Sequence, residues 1–391
     1  MKKKDVKICL FSDTVCDVNG VSRFLQDMAK ESLDADIQLN IITSTVKSNC
    51  KILPNIHIFK PSLKIKMPFY KELDLVFPPV LQMAKKVKEL RPDVIHISTP
   101  GFIGLCGVLI ALKNKIPLVG TYHTDFPMYL YLNTHSKLIK NITTFYLKVF
   151  YKKFTALATR SMEYVEIINK EINFDKNKIF FLQPGTNIKT FSPRYYDKNI
   201  WNKYNISIES KKFLYVGRVT KEKNLDELFE IWKMFYLQSK KKESYLCIIG
   251  KGELEKYKNT LLQYNIVFLG HKEKEELSSL YASSTVFVFP STTDTLGQVV
   301  LESLASATPV IVTNKGGPSG IIHNAKQKVG FVLDIKQKQD WVKLFKKIEN
   351  EKINREVLGK NSFFYSKEFS ITKTFESFID MHLKSIKIKK G

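Results

Sequence analysis

Arginine is scarce in this chain. Of its 62 basic residues only six are Arg, at positions 23, 91, 160, 194, 218 and 355. Base recognition favours the flat Arg fork. A net charge of +24 carried almost wholly by Lys therefore reads as the mark of an AT-rich coding background rather than of a nucleic-acid reader. Splitting the chain at residue 190 leaves +12 on each side, so no basic tail or basic domain stands apart. The five cysteines (9, 16, 50, 106 and 247) are odd in number and fall in no C-x-x-C or Cys/His ligand spacing. That excludes a zinc finger and fits a reducing cytoplasm. Long apolar runs are also missing, and none approaches the ~18 residues that cross a bilayer. Met1 to Lys4 resembles a signal-peptide start, but Lys7 interrupts the short run Val6 to Phe11, which reads as a first strand. The expected location is cytoplasmic, or peripheral on the inner face of the cell membrane. No internal repeat or RRM, zinc-finger or helix-turn-helix signature is found.

What is present is an ordinary globular composition, 44% hydrophobic and 26% charged, over 391 residues, enough for two full cores. Short apolar runs alternate with helical periodicity. Val6 to Phe11, Ile37 to Thr43, Asp93 to Ser98 and Pro117 to Tyr122 are strands, with helices from Gly20 and from Phe102 to Leu112 among them. Lys212 to Val216, Cys247 to Gly252, Val286 to Phe289 and Val310 to Val312 repeat the pattern. Such alternation predicts α/β domains with doubly wound parallel sheets. Gly20 opens a helix after a strand and loop, where backbone approaches a ligand closely. Asp34-Ala35-Asp36 lies in a helix-to-strand turn and reads as solvated, not as a metal site.

The stretch from Thr285 to Gly317 is the most informative. Pro290 ends an apolar strand, a polar turn follows, and a helix is expected to start near Thr295. The free N–H groups of Thr295, Leu296 and Gly297 and the positive dipole end suit phosphate. Asp294 precedes the helix and Glu302 lies eight residues on, slightly over two turns, near the same face. This acid-x7-acid segment resembles family 4 of the retaining nucleotide-sugar glycosyltransferases, two-domain GT-B enzymes. Its TDTLGQVVLE form resembles the branch of lipid and cell-wall mannosyl- and glucosyltransferases. The family's commonest first acid is Glu; here it is Asp294. Gly217-Arg218-Val219-Thr220-Lys221-Glu222-Lys223 matches the family's GR-x4-K, and Pro184 to Pro193 resembles its PGVD…F-x-P crossover.

The resemblance implies two Rossmann-like domains facing a cleft, over 1–190 and 191–365, with a C-terminal helix (366–391) crossing back to the first. It implies that Asp294 holds hydroxyls of the donor hexose and Glu302 the ribose, and that the Gly20 loop covers the diphosphate. Arg218 and Lys223, leaving a strand end, can converge on the leaving diphosphate as a bidentate fork and a point charge. Neither a metal nor another cofactor is then expected. His123, at the end of the strand running to Tyr122, is placed by the family pattern near donor sugar and acceptor. The Cys247 to Gly252 turn, including Lys251, is expected to line the nucleotide pocket. The function implied is transfer of a hexose from UDP- or GDP-hexose to a lipid or glycan acceptor. Rival readings are an epimerase or glycan phosphorylase of the same fold, for which no pyridoxal-phosphate Lys is identified, and a polyanion binder.

One segment suggests an anionic membrane surface as partner. No acid occurs between Phe126 and Met162, whereas Lys137, Lys140, Lys148, Lys152, Lys153 and Arg160 are interleaved with Phe145, Tyr146, Phe150, Tyr151 and Phe154. Helical spacing from His135 to Leu157 predicts an apolar side and a cationic side, as in interfacial helices. Lys60 to Lys71 repeats the basic-aromatic mixture.

Overall fold

Runs rich in Val, Ile, Leu and Phe that end in Gly, Ser or Pro form the parallel strands, because strands covered on both faces need no polar alternation. The structure, a computed structural model, describes residues 3–17, 19–45, 53–66, 74–160, 162–272, 274–294 and 296–390. The chain divides into two compact units, Met1–Gln183 with Thr372–Gly391, and Pro184–Ile371.

The strands of the first unit are β1 (Lys7–Phe11), β2 (Gln38–Ser44), β3 (Ile56–Phe59), β4 (Leu63–Lys66), β5 (Asp74–Phe77), β6 (Val94–Ile97), β7 (Leu118–Tyr122), β8 (Ala156–Thr159) and β9 (Ile179–Phe181). Its helices are α1 (Gly20–Asp34), α2 (Val80–Leu90), α3 (Phe102–Lys113), α4 (Phe126–Thr134), α5 (Lys137–Tyr151) and α6 (Met162–Lys170). Seven strands form one parallel sheet in the order β3-β2-β1-β6-β7-β8-β9, and β4 pairs with β5 as an antiparallel hairpin. The part of Lys60 to Lys71 from residue 67 on lies outside the described residues. Asp34 and Asp36 sit at the turn into β2, at its amino end and away from the carboxyl edge of the sheet.

The second unit contains β10 (Lys211–Val216), β11 (Ser244–Ile249), β12 (Ile266–Gly270), β13 (Val286–Phe289), β14 (Val310–Thr313) and β15 (Gly330–Leu333). They form one sheet in the order β12-β11-β10-β13-β14-β15, parallel throughout. Around it lie α7 (Leu225–Gln238), α8 (Lys258–Leu262), α9 (Lys274–Ala282), α10 (Gln298–Ala305), α11 (Gly317–His323), α12 (Lys338–Glu349) and α13 (Arg355–Ser366). Trp201, Trp232 and Trp341 are all fully buried in this unit's core.

The last helix, α14 (Ile371–Lys390), lies in the first unit from Thr372 on and buries Phe375, Phe378 and Ile379. A chain of buried hydrogen bonds fixes it. His382 Nδ1–H donates to the Phe378 carbonyl at 2.6 Å, so its Nε2 must accept from His96 Nδ1–H at 2.9 Å, and His96 Nε2 accepts from the Thr121 hydroxyl at 2.9 Å. Burial holds both rings below the usual imidazole range and so keeps them neutral, which sets this direction of the chain.

Two sequence expectations change here. The helix expected from His135 to Leu157 ends at Tyr151, and Ala156 already belongs to β8. Phe150, Tyr151 and Phe154 are core residues, so the segment's aromatics are shared between core and surface. The cysteines are also not all thiols: Cys9, Cys106 and Cys247 are free and buried, whereas Cys16 is disulfide-bonded. Neither the odd count nor the spacing gave a sign of that bond.

Candidate active site

The second sheet reverses its strand order between β10 and β13. In an open parallel sheet the loops at such a reversal splay apart at the carboxyl edge and leave room for a ligand. Those two loops carry Arg218, Lys223 and Asp294. Lys223 ends a single 3-10 turn (Lys221–Lys223), and Asn224, in the left-handed region at φ 54°, starts α7. The turn drives the Lys223 side chain inward, leaving it 11% exposed, with Nζ 2.7 Å from Asp294 Oδ2; the Asp294 side chain is 26% exposed. Asn224 Nδ2 donates to the Pro290 carbonyl at 2.9 Å and to Thr292 Oγ1 at 3.1 Å, which locks the β10 loop to the β13 loop.

Gly297 and Gly316 fix the same corner from the other side. Gly297 has φ 66°, and a Cβ there would lie 2.6 Å from Pro318 Cγ. Gly316 has φ 83°, and a Cβ there would lie 2.7 Å from the Asp294 carbonyl oxygen, which accepts the Gly317 N–H at 2.9 Å. Only glycine meets both demands at these positions. The left-handed turn at Gly297 also corrects the helix start. α10 begins at Gln298, so Asp294 lies in the loop, three residues before the cap, and Leu296 is loop as well. The eight-residue spacing to Glu302 is therefore not two turns of one helix. Thr295 lies outside the described residues. Glu302 is fully buried and accepts from the Tyr281 hydroxyl at 3.2 Å.

Arg218 pairs with the Glu222 carboxylate, four residues on in its own loop. Glu222 was not singled out in the sequence, although its i,i+4 spacing from Arg218 is the signal that finds it. The Lys251 side chain is exposed, while its carbonyl accepts the Val219 N–H at 2.9 Å and ties the β11 turn to the GR-x4-K loop. A cavity of about 420 Å³ adjoins this corner, with Asn224, Thr292, Lys315, Asp334 and Lys336 in its lining. Its lysines after β14 and β15 also escaped the sequence reading.

In the first unit, His123 follows β7 and its Nε2 lies 3.0 Å from Ser98 Oγ, just past β6. Its ring meets the edge of Phe24 from α1 at 5.6 Å. Burial, and secondarily the charge of Arg160, push the imidazole down to about 3, so it is neutral at physiological pH. The Arg160 guanidinium lies over the other side of this cluster, 4.6 Å from the Phe24 ring centre. Asp13, in the loop after β1, accepts from Ile103 N–H at 2.9 Å and Thr99 Oγ at 2.7 Å, capping α3. Gly20 opens α1 after its Asn19 cap, and a Cβ there would meet nothing within 4 Å. The fold does not itself require glycine at that position.

Among known proteins, the sulfoquinovosyl transferase of Arabidopsis thaliana is 27% identical over 304 residues, 75% of this chain and 57% of that protein. The chain thus spans little more than half of that relative's length. The alpha-monoglucosyldiacylglycerol synthase of Streptococcus pneumoniae is 26% identical over 321 residues, 78% of this chain and 70% of the synthase. The Anabaena protein HepE, solved in complex with UDP, superposes with a TM-score of 0.75 over 97% of this chain and 100% of its own, at 14% identity, a likeness that shows the fold alone. Two family models match in tandem, "Glycosyltransferase Family 4" over residues 18–190 and "Glycosyl transferases group 1" over residues 197–363. With those two domains in that order and two parallel-sheet units of the GT-B type, the chain belongs to the family 4 glycosyltransferases.

Proposed function

We propose that this protein is a retaining hexosyltransferase that moves a sugar from UDP- or GDP-hexose to a lipid acceptor in envelope glycolipid synthesis. The observation that carries the reading is the Lys223–Asp294 pair at the strand-order reversal of the second sheet. A buried ammonium and a half-shielded carboxylate side by side supply what a nucleotide-sugar needs at its reacting end. Asp294 accepts hydrogen bonds from hexose hydroxyls. Lys223 and Arg218 stabilise charge on the departing diphosphate, and the first N–H groups of α10 assist them. Arg218 then exchanges Glu222 for phosphate oxygen. The acceptor hydroxyl attacks the anomeric carbon on the face the diphosphate leaves; its proton passes to the diphosphate as the new C–O bond replaces the old. His123, held neutral, orients the sugar or acceptor by a hydrogen bond and does not act as a cation. No metal ion enters this scheme.

The name of one relative, an alpha-monoglucosyldiacylglycerol synthase, supports a lipid acceptor. Attachment to an anionic membrane is part of the same reading. α5 turns Leu138, Ile142, Phe145 and Val149, a single stripe at helical spacing, to solvent beside Lys137 and Lys148. Among the described residues no helix is long and apolar enough to cross a membrane. The test is a calorimetric titration with UDP, GDP and ADP, followed by transfer assays with the corresponding sugar donors and diacylglycerol. Tight binding of UDP or GDP, with loss of turnover on Lys223→Met, is expected. Failure of all three nucleotides to bind would overturn the reading.

A further inference from the structure

α3 presents an unusual surface. Its inner side, with Ile103, Cys106, Ile110 and Ala111, packs into the first core, as its apolar sequence demands. Its outer side should then be polar, yet Leu105, Leu109 and Leu112 stand there at 37%, 55% and 47% exposure. Their spacing of four and three places them on one stripe. No charged residue occurs in the helix before Lys113. At the start of the helix Phe102 stacks on Phe77 of β5 at 4.5 Å, and Phe77 is itself 37% exposed. An apolar face of this extent on a soluble domain marks an interaction site.

Charge identifies its occupant. From Val94 to Met162 the sequence holds a single acid, Asp125. Lys113 and Lys115 at the end of α3 and Lys137 and Lys148 on α5 have no carboxylate of this segment but Asp125 to offset them. A protein partner would have to be strongly acidic as well as apolar, whereas an anionic leaflet supplies both properties at once. We infer that the outer face of α3 enters the acyl region of an anionic bilayer, while the α5 lysines remain at the headgroups. The inference rests on the membrane reading above and goes beyond it by assigning a second helix and its depth.

The placement has a chemical consequence. α3 starts at the carboxyl end of β6, next to Ser98 and its hydrogen bond to His123. With α3 lying flat on the leaflet, Lys113 stays at the headgroups at one end while the carboxyl edge of the first sheet meets them at the other, so the acceptor class is a membrane lipid with a free headgroup hydroxyl.

The experiment attaches an environment-sensitive fluorophore at Leu109→Cys, with Ile142→Cys as the α5 comparison and wild type as the labelling background. Vesicles of phosphatidylglycerol and phosphatidylcholine are then added. A blue shift at 109 that mid-chain nitroxide lipids quench more strongly than at 142 is expected. Replacing Leu105, Leu109 and Leu112 together by Ser should weaken vesicle binding at least tenfold and leave nucleotide affinity unchanged. If the protein sediments with the vesicles but the probe at 109 does not shift, α3 is not inserted, and only this inference fails. If it ignores anionic vesicles altogether, the membrane reading fails with it. A shift at 109 without vesicles that grows with protein concentration would mean that a second copy covers the face, which also overturns the inference.

Discussion

Removing Lys223 should separate its structural from its chemical contribution. The gross attraction of two unit charges 2.7 Å apart is about 6 kcal/mol at an effective dielectric of 20. Desolvating a Lys only 11% exposed and an Asp 26% exposed offsets most of that. The coupling left for measurement is about 1–3 kcal/mol. Lys223→Met leaves the Asp294 carboxylate shielded and unmatched, and Asp294→Asn does the same to the ammonium. Each should destabilise the second domain by about 1–3 kcal/mol, while the double variant should lose less than the sum. Because Trp201, Trp232 and Trp341 all lie in the second core, indole fluorescence in urea reports that domain alone. Turnover should behave differently. A contact to the departing diphosphate contributes ~3–4 kcal/mol, so Lys223→Met should slow transfer by 100-fold or more, and the double variant should recover stability but not rate. Strict additivity in urea would deny the pair's energetic coupling. A Lys223→Met turnover within threefold of wild type would deny its part in catalysis.

Arg218→Ala should likewise cut turnover roughly 100-fold, whereas Glu222→Gln, which removes the carboxylate charge beside the guanidinium, should cost no more than about threefold; equal losses would place Glu222 in the chemistry too. Glu302→Ala should weaken free-nucleotide binding and Asp294→Ala should mainly impair use of the sugar, so equal losses in a UDP or GDP titration would refute that division of labour. Transfer should survive EDTA, and restoration by Mg²⁺ or Mn²⁺ after a loss would show that a metal takes part. Stability should fall below neutral pH. The folded protein keeps His96, His123 and His382 unprotonated, whereas the unfolded chain protonates them near 6.5. The native state therefore binds fewer protons below that value, and each pH unit removes about 1.4 kcal/mol per neutral ring. Urea midpoints at pH 7 and 5.5 measure this, and an unchanged midpoint would contradict it.

Eight strands of the two sheets, β1, β2, β6 and β7 and β10, β11, β13 and β14, were legible in the sequence because a strand covered on both faces must be an apolar run, as at Val286 to Phe289. The GR-x4-K and acid-x7-acid spacings were legible because each lies within one loop-helix connection. What tertiary contact decides was not. The left-handed backbone at Gly297 delays α10 by three residues, and nothing local distinguishes Thr295 from an ordinary helix start. Only the fold brings Asp294 to Lys223, 71 residues away. The segment from His135 to Leu157 misled because the period of 3.6 runs unbroken past Tyr151, while Phe154 and Leu157 are buried by β8 and its neighbours. α3 shows the opposite failure. A helix apolar all round reads as fully buried, so Leu109 gave no sign of facing outward.

The anchoring of α14 has a consequence for biosynthesis. His382 completes a hydrogen-bond chain that begins at Thr121 and His96, yet it lies 286 residues after His96. At ordinary ribosomal rates of 5–20 residues per second, the polypeptide emerges for roughly 15–60 s between the two. During that interval Phe24 and His96 lack the covering ring of Phe378, which they meet at 6.1 and 5.1 Å in the finished protein. The nascent first domain is thus expected to wait, incomplete, while the second folds. Chaperone contacts with the growing chain should concentrate there, and a lesion near residue 380 should register as a misfolded amino-terminal half.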